Sequence, residues 1–78
     1  MEIEVKRNNK LNKNGLLTER EITLIKYIAA GWTDPEISKK LGISTSYIRS
    51  DLINKILEKA AVTNRPSLVY WATKNGVI

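Results

Sequence analysis

The sequence predicts an all-α fold: a four-helix, tetra-helical domain built around a helix-turn-helix unit, carried behind a flexible basic N-terminal arm. Three observations predict it. Helix-start signals recur at Thr18, Thr33, Ser44 and the stretch Thr63-Asn64-Arg65-Pro66; apolar residues after each follow spacings of three and four; and Gly31, Gly42 and Gly76 sit where left-handed helix stops fall.

Residues 1–15 form the arm. Lys6, Arg7, Lys10 and Lys13 outnumber Glu2 and Glu4, while Asn8, Asn9, Asn12 and Asn14 are weak formers of helix and strand. The alternatives are a solvated terminus without a role and a short edge strand through Ile3 and Val5. The domain occupies residues 16–78. Its first helix, about 18–30, opens on a capping box, Thr18-Glu19-Arg20-Glu21, with Leu17 just ahead as a staple. Ile22, Leu24, Ile25, Ile28 and Ala29 then follow helical spacing up to Gly31.

A second capping box, Thr33-Asp34-Pro35-Glu36, starts a short helix at about 34–41, with Pro35 tolerated in the first turn. Ile37 and Leu41 face inward, and Gly42 precedes a new cap at Ser44. Two turns of helix, a glycine turn and a third helix make a helix-turn-helix unit, whose second member is the one presented to the major groove. That member runs from about 45 to 59. It buries Ile48, Leu52 and Ile56, with Leu57 and Ala60 beside them, and its other face carries Thr45, Ser46, Arg49, Ser50 and Ile53. The fourth helix, about 65–75, turns Leu68, Val69 and Ala72 inward, and after Gly76 the residues Val77 and Ile78 fold back onto the body.

Composition narrows the function. Thirteen Lys and Arg against eight Asp and Glu give a net charge of +5 over 78 residues, which points to a polyanionic partner. Cysteine and histidine are both absent, so thiol nucleophiles, disulfides, Cys/His zinc sites and imidazole acid-base chemistry are excluded. Glu19, Glu21, Asp34, Glu36, Asp51 and Glu58 read as caps or polar-face residues, and neither enzyme activity nor a cofactor or metal is expected. The longest apolar run, Leu68-Val69-Tyr70-Trp71-Ala72, is far short of the roughly 20 residues that span a bilayer. No secretory signal opens the chain, and a cytoplasmic, nucleoid-associated setting is expected.

Several segments carry a resemblance. LTERE (17–21), AAGWTDPEISKKLGIS (29–44), YIR (47–49) and RPSLVYWATKNGVI (65–78) resemble, in order and spacing, the LuxR/FixJ/NarL-type DNA-binding domain, also found as a GerE-like stand-alone unit. The resemblance covers 16–78 and implies a four-helix domain that binds double-stranded DNA, commonly as a homodimer paired through the fourth helix. The chain departs from the family pattern in five ways. Asp51 stands where a His is common, Asp34 and Pro35 replace Asn and Lys, Ala60 replaces a Leu, Ala61 replaces a frequent Gly, and the distance from Ile48 to Val62 is one residue longer.

Carried onto this chain, Arg49 matches the basic recognition position, where a guanidinium makes two hydrogen bonds to guanine or contacts a phosphate, the alternative being a solvated helix face. Ser50, Ser46 and Thr45 face the groove. Tyr47 reaches a phosphate or packs across the helix pair, and Ile53 touches a thymine methyl or joins the core. Ser44 is first a cap residue and then a DNA contact. Thr33, Lys39, Lys40 and Arg65 lie where phosphate contacts position such a domain without reading sequence. Tyr70 and Trp71 leave the inward stripe of the last helix and form an association surface for a dimer, the alternative being ordinary half-buried packing. Trp32 reads as a packing residue.

These features predict a sequence-specific DNA-binding regulator of transcription. A sensory domain does not fit within 78 residues, so control is expected from abundance, a partner or a sensory part outside this chain. The alternative is a protein-interaction module docking on RNA polymerase or another regulator, because sigma-factor-like helix-turn-helix domains also begin with a helix resembling LTERE. The fourth helix argues against it.

Overall fold

The computed structural model describes residues 17–78. The arm, and the strand considered at Ile3 and Val5, lie outside the described residues. Within the described residues the chain forms α1 (Glu19–Ala29), α2 (Asp34–Leu41), α3 (45–60) and α4 (Arg65–Lys74), and no strand.

Each helix begins where a side chain takes up a free backbone amide. In both capping boxes the threonine hydroxyl accepts from the glutamate amide, at 3.1 Å for Thr18 and 3.3 Å for Thr33. The glutamate carboxylate accepts the threonine N–H in return, at 2.9 Å and 2.8 Å. Ser44 Oγ accepts from Tyr47 N–H at 3.0 Å and Asn64 Oδ1 from Ser67 N–H at 2.8 Å. The α2–α3 turn is closed by Gly42 at φ 72°, whose N–H donates to Ser38 O, while the Ser38 hydroxyl donates to Ile43 O. Turn and helix starts are thus determined by residues no more than five apart.

The helix pair is not uniform. Thr45–Tyr47 is α-helical, Ile48–Leu52 is a π turn in which Ile53 N–H donates to Ile48 O, and Ile53–Ala60 is α-helical again. Backbone angles stay helical across both junctions, so α3 is one rod. A π turn holds one residue more than an α turn, which absorbs the extra residue between Ile48 and Val62. At roughly 100° per residue, an unbroken α-helix would put Ile53 about 140° away from Ile48. Widening the turn brings both Leu52 and Ile53 into the core, at 5% exposure each.

Leu24, Ile25, Ile37, Ile48, Ile56 and Leu68 are the fully buried large side chains, so every helix contributes to one core. Leu17 ahead of α1 and Val77 after α4 are also buried there. Val77 N–H donates to Ala72 O at 2.8 Å past Gly76 at φ 72°, which folds the chain end back onto the body.

The stop of α3 falls on Ala61 at φ 59°, ψ 41°, a left-handed conformation in which a Cβ crowds the following carbonyl. Ala61→Gly is therefore expected to stabilise the domain by about 1 kcal/mol and raise its thermal midpoint by about 4 °C. Thermal denaturation followed by circular dichroism checks this; an unchanged or lower midpoint would mean that the turn carries no such strain.

Candidate nucleic-acid interface

The outer face of α3 is polar and open. Ser46, Tyr47, Arg49, Ser50, Asp51, Asn54 and Lys55 are exposed, and Thr45 is half-buried at the helix start. Ser50 Oγ donates to Ser46 O and Asn54 Nδ2 donates to Ser50 O, both at 2.7 Å. This chain of bonds runs up the outside of the π turn and aligns Ser46, Ser50 and Asn54 in a single stripe. Asn54 and Lys55 were not among the residues picked out by sequence; the spacing of four from Ser46 to Ser50 to Asn54 was the signal that could have found Asn54.

Of the two readings of Ile53, the core position holds and the thymine contact is corrected: the π turn rotates the side chain inward, to 5% exposure.

On α2, Lys39 and Lys40 are exposed in the last turn and Thr33 is exposed at the start, its hydroxyl engaged with Glu36. The Thr33 bonds hold the Glu36 carboxyl below the usual carboxylate range. Trp32 stacks on Tyr27, with ring centroids 4.4 Å apart, and remains partly exposed.

The acids Asp34 and Glu21, read as a dipole residue and a cap, are also buried ion-pair centres. Asp34 is 8% exposed. Arg65 spans both of its oxygens, Nη1 to Oδ1 at 2.7 Å and Nη2 to Oδ2 at 2.9 Å, and Arg49 Nε donates to Oδ2 at 3.0 Å. Arg65, foremost, holds the Asp34 carboxyl below the usual range against the opposing effect of burial, so the acid is ionised at neutral pH. One carboxylate thus joins the first turn of α2, the π turn of α3 and the first turn of α4. Glu21 is 3% exposed and accepts two bonds from Lys59 Nζ, at 2.9 Å and 3.0 Å. Asp51 is exposed and makes no ion pair among the described residues.

Tyr70 and Trp71 divide. Tyr70 is 66% exposed, with Lys74 Nζ 5.8 Å from its ring centre, whereas Trp71 is half-buried against the core.

The geometry is that of a helix-turn-helix unit buttressed by a first and a fourth helix, and residues 15–72 match the profile of the bacterial regulatory proteins of the luxR family. The chain belongs to the luxR family. Among curated relatives, the probable csgAB operon transcriptional regulatory protein of Salmonella typhimurium is 35% identical to this luxR-family chain over 63 residues. That is 81% of this chain and 29% of the relative. The CsgBAC operon transcriptional regulatory protein of Escherichia coli K12 has the same identity and coverage. The response regulator protein VraR of Staphylococcus aureus is 31% identical over 81 residues, 99% of this chain and 38% of the relative. This luxR-family chain therefore spans about a third of the length of these relatives. No solved structure matches it significantly. No helix among the described residues is long and apolar enough to cross a membrane.

Proposed function

We propose that this chain is the DNA-binding unit of a bacterial transcriptional regulator, acting in the cytoplasm on the nucleoid and reading sequence with α3 in the major groove. The observation that carries the reading is Arg49: its side chain is 62% exposed, and its Nε is held by Asp34 while both terminal nitrogens remain for a base. Ser46, Ser50 and Asn54 flank it in the groove, with Tyr47 at the edge. Thr33, Lys39 and Lys40 contact phosphates, joined by Thr45 and Ser44 at the start of α3. Arg65 supports this set through Asp34 and offers its remaining N–H groups to the backbone. The exposed Tyr70 on α4, with Trp71 behind it, is the centre of a homodimer contact.

The test is binding to a pool of random duplexes across a salt series, with Arg49→Ala beside the parent protein. The parent is expected to enrich a palindromic site and to lose affinity steeply with salt. Arg49→Ala is expected to lower the preference for that site about 10- to 100-fold. Weak, sequence-blind binding that the substitution leaves unchanged would overturn the reading in favour of a protein partner.

A further inference from the structure

We propose that Asp34 is a positioning residue for sequence recognition: its carboxylate orients the Arg49 guanidinium before DNA arrives. The inference rests on the reading of α3 as the DNA-reading helix. Asp34 is nearly buried at the first turn of α2, and the two-point grip of Arg65 fixes the plane of its carboxylate. That leaves Oδ2 aimed at α3, where it accepts from Arg49 Nε at 3.0 Å. An exposed arginine otherwise samples many rotamers, and ordering it on binding opposes affinity. Here the Nε bond restrains that freedom and leaves the two Nη groups, neither of them bonded to the acid, as a pair of donors.

The same acid also moderates binding that is blind to sequence. Two guanidiniums and one ionised carboxylate leave one net positive charge at the junction of α2, α3 and α4, so the cluster attracts the phosphate backbone less than two free arginines would. Asp34 thus acts on both halves of discrimination, strengthening the reading of bases and weakening the attraction to any duplex.

Three measurements test this. In the unmodified protein without DNA, relaxation of the Arg49 Nε–H is expected to give an order parameter of about 0.85, like rigid backbone; a value below about 0.6 would overturn the proposal. Asp34→Asn is expected to bind random duplexes more tightly while its preference for the selected site falls about tenfold, at a temperature where circular dichroism shows it folded. In an Arg49→Ala background the same substitution is expected to leave the preference unchanged. An equal fall in both backgrounds, or none in either, would overturn the positioning role. If Arg49→Ala itself leaves discrimination intact, the reading of α3 fails and the role of Asp34 falls with it.

Discussion

Glu21→Ala is expected to cost the domain about 2–4 kcal/mol, a large part of the stability available to a chain of this size. The carboxylate is 3% exposed and serves two masters: it accepts the Thr18 N–H that opens α1 and both short bonds from Lys59 Nζ at the far end of α3. Removing it frees a helix-start amide and strands a part-buried ammonium, two penalties of different origin. Glu21→Gln keeps an acceptor for Thr18 but loses the ionic partner, so it should fall between the parent and Glu21→Ala. Urea denaturation of the three proteins checks this order. A Glu21→Ala variant within 0.5 kcal/mol of the parent, the range of ordinary surface substitutions, would show that the pair contributes nothing net.

Deletion of Asp51 is expected to be tolerated, with a thermal midpoint at or above that of the parent. The removal turns the five-residue closure from Ile48 to Ile53 into an α turn, and Leu52, Ile53, Ile56 and Ala60 then follow Ile48 at helical spacings of three, four, seven and eleven. Deletion of Lys55 removes the same number of residues but leaves Ile53 five positions after Ile48. An α-helix then carries Ile53 out of the core, at a cost of about 1.5–3 kcal/mol. Thermal denaturation of the two deletion variants separates them; equal midpoints would mean that the extra residue is not housed between Ile48 and Leu52.

What was legible in the sequence and what was not follows from distance along the chain. Thr18 with Glu21 and Thr33 with Glu36 are neighbours in sequence and in space, so both helix starts could be read directly. The surplus residue in α3 could be counted, but Ile48, Leu52 and Ile56 fit a plain α-helix well enough to hide where it goes. For that reason the sequence leaves Ile53 open between an outward base contact and the core. Asp34 finds its arginines 15 and 31 positions away, and nothing local distinguishes it from an acid placed to suit a helix dipole. Trp71 and Tyr70 are adjacent, and only packing decides that one half-buries while the other stays in solvent.

The ion pair between Glu21 and Lys59 has a mechanical consequence. It ties the first turn of the fold to the rear of α3, while Arg49 lies toward the front of the same rod. Tension on the backbone ahead of Leu17 therefore has a short route, one carboxylate and one ammonium long, to the helix that carries Arg49.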